Sequence, residues 1–200
     1  MKTQNKDRSR LIAAAMQKIP CDLTIKNIRL VNVLTGEIYP AEVDIIDGTV
    51  VRVREEGETT ALESKSVYDG EGNFLIPGYI DTHIHIESSM MIPENFGRAV
   101  VTWGTTTVCT DPHEIGNVMG TDGIKFMLEN GRKTAVRHYV LAPSCVPAVP
   151  ELESSGAEFT AEEIGQILDM DDVIGIAEIM DFVGIYNDND RMHKIVDEGI

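Results

Sequence analysis

Leu75-Ile-Pro-Gly-Tyr-Ile-Asp-Thr-His-Ile-His-Ile-Glu-Ser-Ser-Met90 is the stretch on which the reading of this chain turns. Two histidines, His83 and His85, stand one residue apart late in an apolar run. Such a run suits a strand over residues 75–86. Side chains alternate across a strand, so the two imidazoles face the same side with Cα atoms roughly 6.6 Å apart, a spacing that lets both reach one metal ion. Ile80, Thr82, Ile84 and Ile86 are expected to turn the other way, into a packed layer. The competing reading, a surface pair on an edge strand, fits neighbours this apolar less well.

Downstream of this stretch the chain reads as strand then helix, four times over. The strands are expected near residues 75–86, 105–110, 136–142 and 173–180. They are short, apolar and rich in β-branched residues, as strands buried on both faces are. The helices carry punctuation. Pro93 and Glu94 open the first, with Phe96, Val100 and Trp103 on one side before Gly104. Ile124, Met127 and Leu128 mark the second, closed by Asn130-Gly131. Thr160 and Glu163 have capping-box spacing ahead of Ile164, Ile167 and Leu168. Met192, Ile195 and Val196 mark the fourth, which ends at Gly199.

Repeated βα units imply a parallel sheet. With reactive residues at the strand ends, they predict the N-terminal half of a (β/α)8 TIM-like barrel, whose chemistry sits at the C-terminal ends of the strands. A small doubly wound sheet would carry a Gly-rich phosphate turn after the first strand. Here that place holds His-Ile-His-Ile-Glu-Ser-Ser.

Upstream, residues 1–73 read as an N-terminal helix plus a small antiparallel β unit, part of a composite β-sandwich, and residues 74–200 as the barrel part. Lys2, Lys6, Arg8 and Arg10 precede Leu11-Ile-Ala-Ala-Ala-Met16, a short amphipathic helix rather than a signal segment. Alternation over 22–33 and over 41–46, then Asp47-Gly48 leading into 49–54, predicts strands and a hairpin, with a further short strand near Val67.

Composition narrows the function classes. The chain has 200 residues, 42% hydrophobic and 25% charged, with a net charge of −16. That acidity disfavours nucleic acid as a partner. No stretch approaches the roughly 20 apolar residues a membrane span needs. Cys21, Cys109 and Cys145 form no disulfide framework and no paired zinc motif, which fits a reducing, cytoplasmic setting.

Other residues carry chemistry. Glu178 lies in Val173-Ile-Gly-Ile-Ala-Glu-Ile-Met-Asp-Phe182, where an ionised carboxylate is costly unless paired or metal-bound. It is expected on one strand face with Ile174, Ile176 and Met180. A salt bridge to Arg137 is the alternative to ligation. Asp111-Pro-His-Glu114 follows the second strand. Asp111 and His113 can orient a ligand, touch substrate or move protons, or the segment is simply a helix-entry turn. Ser88 and Ser89 lack a nucleophile elbow and are expected to bond the loop or touch a ligand. Met90 and Met91 read as pocket lining. Ser144 and Cys145 are expected to face the pocket without acting as nucleophiles.

Pro77-Gly-Tyr-Ile-Asp-Thr-His-Ile-His85 resembles the first-strand signature of the amidohydrolase superfamily. Extended by Ile86-Glu-Ser-Ser-Met90, and joined by Thr105-Thr-Thr-Val-Cys-Thr-Asp-Pro-His-Glu-Ile-Gly-Asn117, it is similar to the adenine deaminases of that superfamily, over essentially the whole chain. The resemblance implies hydrolysis of adenine to hypoxanthine and ammonia, a step of purine metabolism, with one or two divalent manganese or iron ions. It implies that His83, His85 and Glu178 ligate metal; Glu178, Asp111 and His113 are expected to be catalytic, and Ser88, Ser89, Glu87 and Glu114 to contact substrate. Glu178 takes a place where many relatives carry a modified lysine, and a carboxylate there can bridge two ions.

Relatives add histidines after strands five and six and an aspartate after strand eight. His138 and His193 are poor substitutes, one at the start of a strand and the other in a helix. The 200 residues are therefore expected to be the N-terminal portion of a longer enzyme, homo-oligomeric when whole, and inactive alone. Two other readings compete. One is a cyclic-amide hydrolase of the dihydropyrimidinase kind, disfavoured because that group usually needs lysine where this chain has Glu178. The other is a non-catalytic scaffold fragment.

Overall fold

A computed structural model of the protein describes residues 7–55 and 57–200. It divides into two compact units, one ending at Pro77 and one running from Gly78 to Ile200. Lys2 and Lys6 lie outside the described residues.

In the first unit, helix α1 (Arg8–Ala15) starts at Asp7, whose carboxylate accepts from the main-chain N–H groups of Ser9 and Arg10. Strands β1 (Leu23–Asn32), β2 (Glu37–Ile46) and β3 (Thr49–Glu55) form an antiparallel meander. The β2–β3 turn has positive φ at both Asp47 and Gly48, as a two-residue hairpin requires. The unit is not wholly antiparallel. Strands β4 (Ser66–Asp69) and β5 (Phe74–Leu75) both join β1 in parallel, giving a mixed sheet with β1 inside it. The reason is topological. The hairpin partner β2 takes one edge of β1, and the chain returns through residues 57–65 to the other edge, travelling in the direction of β1.

This sheet buries Ile28, Ala41 and Val43 in one cluster and Ala14, Cys21 and Ile46 in another. Among them sits a charged group. Asp44, 2% exposed, accepts from Thr24 Oγ1 at 2.7 Å, Arg52 Nη2 at 2.6 Å and Arg54 Nε at 3.1 Å. Arg54 also pairs with Glu42.

The second unit is a four-stranded parallel sheet, β6 (Tyr79–Ile84), β7 (Thr105–Thr110), β8 (Arg137–Ala142) and β9 (Val173–Ile176), paired in sequence order. Helix α2 (Pro93–Val101) follows β6. Helices α3 (His113–Met119) and α4 (Thr121–Gly131) follow β7, α5 (Ala161–Leu168) follows β8, and α6 (Phe182–Tyr186) and α7 (Asp190–Glu198) follow β9. The expected capping box is present at α5: Thr160 Oγ1 accepts from the Glu162 N–H, and the Thr160 N–H donates to Glu163 at 2.9 Å. Gly120, with φ +59° and ψ −145°, makes the sharp break between α3 and α4 that a side chain would oppose. Val140 and Ala142 of β8 pack with Ile124, Leu128, Ile164, Ile167 and Ile195 from α4, α5 and α7 into one core. Among the described residues, no helix is long and apolar enough to cross a membrane.

Several expectations fail locally. The packed layer behind the histidines is only partly built. Ile86 is fully buried, but Ile80 is 62% exposed, because β6 is an edge strand with a partner on one side. Trp103 lies beyond α2 and is 83% exposed. Strand β9 stops at Ile176, so Glu178 stands past it rather than on a strand face.

Candidate metal centre

The strand registers bring the reactive residues to one end of the sheet. Ile84 pairs with Thr110, so His85 and Asp111, the next residues, come side by side, tied by the Asp111 N–H to the Ile84 carbonyl at 3.1 Å. Ala142 pairs with Ile176, and the Ala177 N–H donates to the Ala142 carbonyl at 2.8 Å. Ser144 and Glu178 follow at the same end.

One donor atom from each of His83, His85, Asp111 and Glu178 lies within 4.8 Å of the other three. The Nε2 atoms of His83 and His85 are 3.0 Å apart. Glu178 Oε1 lies 3.4 Å from His85 Nε2 and 3.9 Å from His83 Nε2. His85 Nδ1 is 2.9 Å from the Asp111 carbonyl oxygen. A carbonyl only accepts, so Nδ1 carries the proton and Nε2 keeps its lone pair for the cluster. Glu178 therefore faces histidines, not Arg137, and its side chain is 39% exposed rather than buried in an apolar run.

Asp111 tests whether these residues suit a cation. It is 0% exposed, and neither side-chain oxygen has a hydrogen-bond partner. An ionised carboxylate so placed is costly unless positive charge compensates it. The nearest is His113, whose Nδ1 lies 3.3 Å from Asp111 Oδ2. Asp111 raises the imidazole pKa of His113, burial works against it, and Glu114 and Glu178 add to the rise. Two imidazoles and two carboxylates grouped within 4.8 Å of one another form the donor set of a divalent cation. The residues fit such a group.

The acids beside the cluster are close to one another. Glu114 Oε2 is 3.5 Å from His85 Nδ1 and 4.0 Å from His113 Nε2. Glu87 accepts from the Ile115 N–H at 3.3 Å, and burial, with Glu114 nearby, raises its pKa. Ser88 Oγ donates to Glu114 Oε1 at 3.3 Å. Ser89 Oγ turns back to donate to the Ile86 carbonyl at 2.6 Å. Met90 is 97% exposed and in the left-handed region, and Met91 is 42% exposed. His138 bonds Thr110 Oγ1 at 3.1 Å, and His193 pairs with Asp188; neither is among the grouped donor residues.

Ser144 and Cys145 are 2% and 1% exposed, and they do not open onto a pocket. Their side chains donate to the main-chain carbonyl of Glu178 at 2.6 Å and 3.3 Å. Burial raises the Cys145 thiol pKa. The sequence marks these residues only by position, just after the end of β8, and nothing in it pairs them with the Glu178 carbonyl just past β9.

Comparison with known proteins adds a family. A sequence model described as the Amidohydrolase family matches residues 74–198. "Adenine deaminase" of Moorella thermoacetica is 40% identical over 183 residues, covering 92% of this chain and 30% of that protein. "Adenine deaminase 2" of Carboxydothermus hydrogenoformans is 41% identical over 184 residues, covering 92% of this chain and 31% of that protein. The chain thus spans about a third of the length of the curated relatives it matches. Among solved structures, a D-aminoacylase superposes with a TM-score of 0.56 at 18% identity, covering 90% of this chain and 42% of the other. A variant of an atrazine chlorohydrolase from Arthrobacter aurescens TC1, complexed with zinc, gives 0.54 at 15%, covering 72% and 41%. At these identities the likeness is one of fold.

Proposed function

The chain belongs to the amidohydrolase family, its parallel unit having the fold of part of that family's barrel, and from this premise we propose that it is the N-terminal part of a metal-dependent adenine deaminase. The observation that carries the proposal is the convergence of His83, His85, Asp111 and Glu178, in a chain about 40% identical to adenine deaminases.

In this reading His83, His85 and Glu178 hold the cation, and Asp111 joins them through its unpartnered oxygens. A divalent ion, manganese or iron, supplies Lewis-acid activation of water and of the ring. The chain's own residues do the rest. His85 is oriented by the Asp111 carbonyl. His113, kept basic by Asp111, delivers a proton to the departing nitrogen. Glu87, Glu114 and Ser88 line the approach of the purine edge, with Ser89 shaping the turn beneath them. Water adds to the ring carbon that bears the amino group, and ammonia leaves, so adenine and water give hypoxanthine and ammonia.

The same reading assigns the activity to a cytoplasmic, homo-oligomeric whole enzyme with no nucleic-acid partner, and leaves the 200 residues inactive alone. An assay on the complete gene product, stripped by chelation and reloaded with manganese, tests it with adenine, adenosine and cytosine. Turnover of adenine is expected. An inert adenine overturns the proposal, and turnover by the isolated 200-residue chain overturns the claim that it is incomplete.

A further inference from the structure

We infer that Ser144 and Cys145 are positioning residues for the Glu178 carboxylate, setting the metal affinity of the centre without touching the cation. The inference rests on the metal-centre reading above.

The regular ladder between β8 and β9 ends with the Ala177 N–H on the Ala142 carbonyl. Glu178 is the next residue, and no strand holds it. Its main-chain carbonyl is gripped instead by Ser144 Oγ at 2.6 Å and Cys145 Sγ at 3.3 Å. Both gripping side chains are almost wholly buried, so water does not compete for the contact.

The grip is itself fixed to the opposite wall of the site. The Asn117 side-chain amide donates to the Cys145 carbonyl at 2.9 Å and to the His113 carbonyl at 2.8 Å. Ser155 Oγ donates to Asn117 Oδ1 at 2.6 Å, which holds that amide in orientation. On the other flank, Arg191 Nη2 donates to the Ser144 carbonyl at 3.4 Å. A continuous chain of side-chain contacts therefore runs from α3, which carries His113, through the loop after β8 to the backbone of Glu178. The carboxylate ends 4.0 Å from His113 Nδ1 and 3.4 Å from His85 Nε2. Loosening the carbonyl frees the Glu178 backbone to turn, and the carboxylate swings with it. Partners one step outside the ligands typically change metal affinity by about 10–100-fold.

The test measures Mn2+ affinity of the complete gene product, by competition with a chromophoric chelator, together with thermal melting of the metal-free protein. Ser144→Ala is expected to weaken Mn2+ binding by about tenfold or more while the metal-free melting point stays near wild type. Cys145→Ala, which removes the longer contact, is expected to weaken it less. Thr134→Val removes a half-buried hydroxyl that bonds the Val136 carbonyl, ahead of β8, and is expected to lower stability but leave Mn2+ affinity unchanged. Wild-type affinity in Ser144→Ala, or an equal loss in Thr134→Val, overturns the inference and leaves the metal centre standing. If Ser144→Ala does not fold, Cys145→Ala decides alone by the same criterion. A wild-type protein that binds no Mn2+ overturns the metal centre and this inference with it.

Discussion

The Nε2 atoms of His83 and His85 stand 3.0 Å apart at the end of β6, with the rings inclined at 70°. Two ring nitrogens so close need a shared proton or a shared cation between them. Glu178, 3.4 Å from the nearer nitrogen, brings negative charge to the same point. This relationship ties the end of β6 to the segment just past β9.

Replacing His85 by Ala removes a ligand and the ring that the Asp111 carbonyl orients. Metal affinity and adenine turnover of the complete gene product are expected to fall by more than the roughly 100-fold upper range for an outer partner. Metal titration and steady-state kinetics check this. An unchanged affinity would remove His85 from the centre.

Much of this centre was legible in the sequence. His83 and His85 are two apart in a strand-like run, and period-two alternation puts both on one side. Asp111 was legible as a residue after a strand that can orient a ligand or move protons, but its full burial and its unpartnered oxygens were not. Helix α3 was legible only as a helix-entry turn at Asp111-Pro-His-Glu114, its extent masked because His113–Met119 is short and carries two residues, Gly116 and Asn117, that form helices poorly. The parallel pairing of β4 and β5 was hidden too, since alternation fixes which side chains share a face but not the direction of a partner across a loop. Glu178 read as a strand residue because its neighbours are apolar. The strand ends earlier, and a serine and a cysteine 34 and 33 positions away take over its carbonyl.

Asp44→Ala is expected to destabilise the first unit by about 3–5 kcal/mol, because it leaves the buried Arg54 guanidinium without its central partner. Urea denaturation of wild type and variant measures the difference. A loss under about 1 kcal/mol, the scale of a surface pair, would show that the cluster is solvated.

Acid lability should come in two windows. Burial lowers the pKa of His138 to about 4. The folded protein then refuses a proton that the unfolded chain accepts below about pH 6.5. Stability therefore falls as pH drops from about 6.5 to about 4, by at most about 3 kcal/mol, and no further below that. His138→Gln should flatten this slope in denaturation curves taken at pH 7, 5.5 and 4. An unaltered slope would contradict the assignment. Asp44 acts lower. Burial raises its pKa, but hydrogen bonds from Arg54, Thr24 and Arg52 outweigh burial and hold the carboxyl below its usual range. Its contribution is present above the unfolded carboxylate pKa of about 3.9 and is lost as pH falls through the lower folded value.

Gly131→Ala tests the packing beneath the site. A methyl group there would overlap the imidazole of His138, which bonds Thr110 next to Asp111. A loss of about 1–3 kcal/mol is expected, seen as a lower denaturation midpoint. A neutral substitution would show that the imidazole moves aside freely.

A divalent cation is expected among His83, His85, Asp111 and Glu178. Crystals of the complete gene product loaded with zinc, measured at the zinc absorption edge, test it most directly. An anomalous peak is expected about 2.0–2.2 Å from the Nε2 atoms of both histidines and from a Glu178 carboxylate oxygen. A peak elsewhere, with Glu178 turned away from the histidine pair, would contradict it.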